Sequence, residues 1–405
     1  MSEHAGRTEE HHADLAVVGA GPIGLELAGA ASRLGIRTIV FDAGQVGQTI
    51  YDWPEETRYF SSPERMAVAG IPMQTTHQQL GTREEYLAYL RSVVEILDLD
   101  VRVYEAVTAV HPVSADTPGA GGTPPAEPEP AAQTAAPAGF VVETRRSFNH
   151  TDTRSYRVRK VVIATGDMAR PRKLGIPGEE LPHVTHYFDN PHRYFRQRLL
   201  VVGGRNSAVE AAIRSWRAGA DVALSYRRAE LDREHIYSRL HLEINLLIRK
   251  GRVHFYPETE PLEMRPGVTV LAGVRSREYQ DGDEIRDVFE TTEARSEIPA
   301  DFVYLATGYR ADTSLLEAAG VAFDSTGTAP ELDEETMESS VPGIYVAGTA
   351  IGGNTAGYKV FVGTCHDQAL RILSHAFGVR DRERIVTGTV AGRNYPFSRK
   401  DIEPE

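Results

Sequence analysis

The sequence predicts an α/β protein made of two Rossmann-like domains of three-layer (ββα) type, the second inserted into the first, and three observations carry that prediction. A strand, glycine turn and helix open the chain at residues 15–34, and the same pattern returns at 198–213. Two strand-to-turn segments, KVVIATG at 160–166 and DFVYLATG at 301–308, echo one another. The chain has 405 residues, more than one ordinary core organises and enough for two.

Each element follows in order. Residues 1–12 are polar and hold two adjacent histidines, which reads as a disordered, frayed terminus. The fold starts near Asp14, with a strand at 15–18, a helix at 24–34 and a second strand at 36–41, a β-α-β unit. At Thr82 the pair Thr82 and Glu85 forms a capping box that starts an amphipathic helix. Strand-like runs at 102–110 and 140–143 flank a low-complexity insertion, 112–139, whose Pro, Ala, Gly, Thr and Glu residues cannot build a core; it is expected to be disordered and to lengthen a surface hairpin. Boundaries near Asn190 and Ala311 give an outer domain of 13–190 and 311–405 and an inserted domain of 191–310. Only two crossings would then join them, which favours rotation of the inserted domain.

Charge and cysteine content narrow the function. Against 44 basic residues stand 57 acidic ones, a net charge of −13 that opposes attraction to nucleic acid or an anionic membrane. The most apolar early stretch, 15–36, is broken by Gly19, Gly21, Pro22, Gly24, Glu26 and Arg33, and no signal-peptide pattern surrounds it, so a cytoplasmic protein is expected. A single cysteine, Cys365, excludes an intrachain disulfide and any C-x-x-C dithiol. The histidines His183, His186 and His192 lie among aromatic residues and prolines, the composition of a packed linker, and no metal site is assigned to them.

The chemistry concentrates in two glycine motifs. Gly19-Ala20-Gly21-Pro22-Ile23-Gly24 lies between strand and helix: Gly19 for the turn, Gly21 for backbone approach to a pyrophosphate, Gly24 for close helix packing. The helix N-terminus supplies free N–H groups to phosphate, and Asp42, 18 residues beyond Gly24, is placed to bind a ribose hydroxyl. The second motif, Gly203-Gly204-Arg205-Asn206-Ser207-Ala208, carries Arg205 where the second glycine belongs, which restricts backbone approach. After the next strand, 222–225, come Arg227 and Arg228 where an NAD site would place an acid. Guanidiniums there suit a 2′-phosphate, hence NADPH rather than NADH.

With these motifs located, the chain resembles the flavoprotein pyridine-nucleotide reductases of thioredoxin reductase type, and most closely the bacillithiol disulfide reductase (YpdA-type) family. The segments that carry the resemblance are VVGAGPIGL at 17–25, TIYDWP at 49–54, YFSSPER at 59–65, IPGEELPHVTHYF at 176–188, LLVVGGRNSAVEAA at 199–212, LATGYRAD at 305–312 and EETMESSVPGIYVAGTAIGGN at 334–354. It implies FAD held by Gly19, Gly21, Pro22, Gly24, Asp42, Gln48, Thr49, the Ala164-Thr165-Gly166 turn and the Gly348-Thr349 turn. It implies NADPH at Gly203, Gly204, Arg205, Asn206, Ser207 and Ala208 with Arg227 and Arg228, Arg205 itself meeting phosphate.

Two positions depart from the family. Ile23 stands where the family has the cysteine of GAGPCG, and Thr349 replaces the aspartate of an A-G-D turn, keeping a hydroxyl without the charge. The implied reaction is hydride transfer from NADPH to FAD and then to a small-molecule or small-protein acceptor, foremost a low-molecular-weight, bacillithiol-type disulfide. Alternatives are a ferredoxin or flavodoxin NADP reductase, a flavin monooxygenase and a non-catalytic redox-sensing flavoprotein. No side chain is assigned as acid, base or nucleophile. Cys365 reads as a small buried hydrophobe, with a thiolate beside the flavin as the other reading. A homo-oligomer is compatible with the sequence.

Overall fold

The computed structural model describes residues 11–76, 79–113, 137–231, 233–234, 236–281, 284–354, 361–381 and 384–388. They form two compact units, one of Met1–Tyr51, Ser61–Arg170 and Arg310–Glu405, the other of Asp52–Phe60 and Pro171–Tyr309. Among the described residues no helix is long and apolar enough to cross a membrane.

The first unit is built on a seven-stranded sheet. Asp100–Arg102, Thr38–Phe41, His11–Val18, the C-terminal half of Asn149–Ile163 and Ile344–Val346 run parallel. The N-terminal half of Asn149–Ile163 continues into an antiparallel layer with Gly139–Arg146 and Glu105–Val113. The first strand begins at His11 rather than 15 because Asn149–Ile163 extends far enough to pair His11 with Tyr156. Tyr104, at φ 54°, breaks the run expected at 102–110 into two strands. The hairpin reaches further than the sequence indicates, Pro112 facing Phe140 and Val113 facing Gly139. The rest of the insertion, 114–136, and terminal residues 1–10 lie outside the described residues.

The helix Pro22–Arg33 packs on the parallel strands, and Arg83–Ile96 packs against that helix. Pro22–Arg33 buries nine of its residues, Ile23 to Ala31. Arg83–Ile96 starts at the expected capping box: the Thr82 hydroxyl accepts from Glu85 N at 3.2 Å, and Thr82 N donates to Glu85 Oε2 at 2.8 Å. Such a cap stabilises by about 1 kcal/mol.

The second unit has a five-stranded parallel sheet in the order Val253–Pro257, Asp221–Tyr226, Arg198–Val202, Phe302–Leu305, Val184–Thr185. An antiparallel sheet of Thr259–Arg265, Val268–Asp281 and Glu284–Pro299 completes it. Its boundary falls at Arg170 and Pro171, ahead of the Asn190 read from sequence, because Val184–Thr185 is an edge strand and Phe188 and Tyr194 are core residues.

A further excursion, Asp52–Phe60, also belongs to this unit. The Asn190 amide donates to Glu55 Oε2 at 2.8 Å, Arg214 donates to the Glu55 carbonyl, and the Phe60 ring stacks on Tyr237 at 4.7 Å. The chain therefore passes between units four times, at 51/52, 60/61, 170/171 and 309/310, where two crossings were expected.

Candidate functional site

At the carboxyl edge of the first unit's parallel strands, the glycines perform separate tasks. Gly19 has φ +113°, and a Cβ there would overlap the Ala164 carbonyl. A Cβ on Gly24 would overlap the Gly19 carbonyl, so the helix reaches this strand only without a side chain. Gly21 differs: a Cβ there would meet nothing within 4 Å, so the space before it is open to a ligand. The helix Pro22–Arg33 has no side-chain N-cap and no acidic residue in its first turn. Its leading N–H groups therefore keep their positive potential for an anion.

Asp42 binds this loop from the next strand. Its Oδ2 accepts from Ala20 N at 2.7 Å and its Oδ1 from Gly44 N at 2.8 Å. Burial raises its pKa above the usual carboxylate value, although both backbone donors pull it down. Gly47 N donates to Ala20 O at 3.0 Å, which brings the short helix of Gln48 and Thr49 beside the motif.

The turn of Ala164, Thr165 and Gly166 joins the same edge through Ala164 N to Val18 O at 2.8 Å. Ala347 N bonds Ile163 O at 2.9 Å, bringing in Gly348 and Thr349. A Cβ on Gly166 would lie 3.6 Å from Thr349 Oγ1, and one on Gly348 would lie 3.5 Å from Ile23. All twelve residues expected to hold the first cofactor are thus gathered on one edge, with Ile23 packed among them. Gln368 was not anticipated; its Oε1 accepts from Gly348 N at 2.7 Å in a buried contact.

The second unit repeats the arrangement. Gly203, at φ +141°, leaves its strand where a Cβ would come within 2.7 Å of Ala306 O, and Gly204 lies under the Tyr226 ring. Arg205 caps the helix Asn206–Arg217 at φ −111° and ψ −174°, extended backbone that any residue adopts, so the arginine strains nothing. That helix also lacks a side-chain cap and a first-turn acid. Asn206 Oδ1 accepts from Tyr237 N at 2.8 Å, Ser207 is exposed, and Ala208 packs beneath Gly203. Arg227 and Arg228 follow Tyr226 and meet two residues that sequence reasoning missed, Phe289 and Asp287.

Cys365 and His366 are neighbours with different surroundings. Cys365 is fully buried, and burial, with the nearby Asp367 charge, pushes its thiol up to about 12, so it stays protonated at neutral pH. His366 Nδ1 lies 3.2 Å from Glu26 Oε2, and its Nε2 lies 2.9 Å from the Arg65 carbonyl. A carboxylate and a carbonyl both accept, so this pair of partners favours the imidazolium form, in which both ring nitrogens donate. Burial alone would lower its pKa; the Glu26 carboxylate and the Arg65 carbonyl outweigh this and raise it. Glu26, fully buried, also accepts from Ala69 N at 2.9 Å and Gly388 N at 2.5 Å. Its position among the buried residues of the first helix was the available signal.

His366→Leu should cost about 3 kcal/mol by leaving that carboxylate without its cation. Because the folded pKa of His366 is raised, its contribution is complete below about pH 6.5 and fades as pH rises through the folded value. Urea midpoints of wild type and variant should therefore converge as pH rises above about 6.5; a constant gap would rule the pair out as the cause. Of the histidines at 183, 186 and 192, the His186 Nε2 lies 3.1 Å from Glu179 Oε1, and the His192 backbone N donates to Asn190 Oδ1 at 2.9 Å. Among the described residues no group of three or more His, Cys, Asp or Glu side chains could hold a metal ion.

Comparison with known proteins adds four findings. The family described as pyridine nucleotide-disulphide oxidoreductase matches residues 16–117 and 137–348. Bacilliredoxin reductase Bdr of Bacillus subtilis is 31% identical over 347 residues, 85% of this chain and 92% of that protein. The structure of bacillithiol disulfide reductase Bdr (YpdA) from Bacillus cereus superposes with a TM-score of 0.75 at 27% identity, covering 91% of this chain and 99% of that one. A ferredoxin–NADP reductase of Ignicoccus hospitalis is 26% identical over 215 residues, 53% of this chain and 56% of that protein.

Proposed function

This chain belongs to the pyridine nucleotide-disulphide oxidoreductase family, among the bacilliredoxin reductases of thioredoxin-reductase-like frame, and on that premise we propose that it is an FAD-dependent NADPH oxidoreductase whose acceptor is a low-molecular-weight, bacillithiol-type disulfide. The observation that carries the reading is the pair of glycine cradles, each at the carboxyl edge of a parallel sheet beside an uncapped helix N-terminus. The first would suit FAD: the open space at Gly21 would admit the pyrophosphate, and Asp42, with lone pairs to spare beyond its two backbone donors, would accept from the ribose. The second fits NADPH through Arg205, Arg227 and Arg228.

A bound flavin supplies a carrier that takes two electrons as hydride and hands them on. The overall balance is NADPH, H⁺ and RSSR going to NADP⁺ and two RSH. The chain binds and orients both cofactors; no protein thiol relays the electrons. Ile23 fills the family's cysteine position, and Cys365, the single cysteine, is buried and protonated. Cys365→Ser should accordingly leave turnover with the disulfide within about twofold of wild type.

The decisive measurement is anaerobic reduction of the purified yellow protein by NADPH, followed by rapid mixing with disulfides, quinones, ferredoxin and oxygen. Fastest reoxidation by a bacillithiol-type disulfide supports the proposal. Fastest reoxidation by ferredoxin would replace it with the activity named for the Ignicoccus relative, and oxygen consumption coupled to a hydroxylated product would replace it with a monooxygenase.

A further inference from the structure

The arginines after the strand Asp221–Tyr226 are held by an arm of their own unit. The Arg227 guanidinium lies over the Phe289 ring, 4.1 Å from its centroid, and the Arg228 guanidinium lies 6.0 Å from the same centroid. Arg228 Nη2 is 2.6 Å from Asp287 Oδ2. Phe289 and Asp287 both belong to Glu284–Pro299, where they face Ser276 and Arg277's neighbour Glu278 on the strand Val268–Asp281. These pairs lie beyond the irregularity between Ala272 and Val274. Before it, Leu271 and Ile298 pack into the unit's core; after it, beyond the buried Val274, the hairpin meets the two arginines.

The chemistry of this contact is directional. An aromatic ring takes the flat face of a guanidinium and leaves its N–H edge available, the edge that forks onto phosphate oxygens. Among the described residues no carboxylate pairs with Arg227 within 4.0 Å; Glu260, the nearby acid, accepts the Thr291 hydroxyl at 2.6 Å. Burial and the charges of Arg228 and Arg205 all push the Arg227 pKa down, which shows that three guanidiniums share one neighbourhood. Asp287 pairs with Arg228 and Glu260 with Thr291, so the edge of the ring-stacked Arg227 suits the oxygens of a phosphate monoester. The end of this strand is where a dinucleotide fold presents the ribose 2′ position.

We propose that Phe289 is the positioning residue that sets this unit's preference for a 2′-phosphorylated nicotinamide dinucleotide, by holding the Arg227 guanidinium face-down so that its edge meets the phosphate. Asp287 fixes Arg228 alongside. This rests on the NADPH reading above and adds to it the element that creates the discrimination, the distal half of the hairpin.

Calorimetric titration of the flavin-loaded protein with NADP⁺ and with NAD⁺ tests it, using wild type, Phe289→Ala and Phe289→Trp. Wild type should favour NADP⁺. Phe289→Ala should weaken NADP⁺ about five- to tenfold, leave NAD⁺ within about twofold and flatten the salt dependence of the difference, while Phe289→Trp should restore the wild-type pattern. Unfolding curves of all three establish that the arm's substitution leaves the fold intact. Should Phe289→Ala weaken both nucleotides alike, or neither, while wild type still discriminates, the inference is overturned and the NADPH reading stands. Should wild type bind both equally, the NADPH reading falls and the inference with it.

Discussion

Gly24→Ala is expected to give a colourless protein. The added carbon would overlap the Gly19 carbonyl, a backbone atom that cannot swing aside as a side chain would. The first helix must withdraw from its strand, and its N-terminal N–H groups withdraw from the pyrophosphate with it. Overpacking costs about 1–3 kcal/mol where side chains can move, and with a backbone carbonyl in the way the upper end applies, so flavin affinity should fall by about a hundredfold. Gly21→Ala is the informative partner, because its carbon meets nothing in this chain. That variant should melt like the wild-type protein without flavin yet bind flavin more weakly. Flavin absorbance per mole of protein, beside melting curves with and without added FAD, checks both. A fully yellow Gly24→Ala protein of unchanged melting temperature would show that helix approach does not govern the cradle.

Replacing Arg227 and Arg228 together with alanine should raise the KM for NADPH about thirty- to a hundredfold and change that for NADH less than about twofold. Hydrogen bonds to charged groups contribute about 1.5–3 kcal/mol each, and solvent near this exposed strand end screens part of that. The loss should be smaller at high ionic strength, where the wild-type enzyme has already surrendered part of the same attraction. Steady-state kinetics with both nucleotides at two salt concentrations measures this, and equal losses for the two would remove the arginines from nucleotide selection.

What the sequence disclosed, and what it withheld, divides along a physical line. The glycine turns were legible because their constraints are local: a strand end, a turn and a helix start impose residue types at fixed spacing. The capping box at Thr82 and the long β-hairpin were legible for the same reason. Partners distant in the chain were not. Glu26 and His366 are separated by 340 positions, and helical periodicity identifies the buried face of Glu26 without naming what faces it. Phe289 and Asp287 read as one aromatic and one acid in a polar strand; only the register of the hairpin brings them to Arg227 and Arg228. Phe188 and Tyr194 are among the aromatic residues whose surroundings read as a packed linker, because an edge strand of two residues leaves no periodic trace.

The excursion of Asp52–Phe60 bears on modularity. A gene fragment encoding only 171–309 would omit Glu55 and Phe60, losing the acceptors of Asn190 and Arg214 and the ring stacked on Tyr237. The second unit is therefore not a detachable cassette. During synthesis on the ribosome, those nine residues emerge long before the sheet they join, and they must wait until more than a hundred later residues have been made. Shuffling such a half between relatives would require transplanting a piece from early in the chain as well as the inserted block.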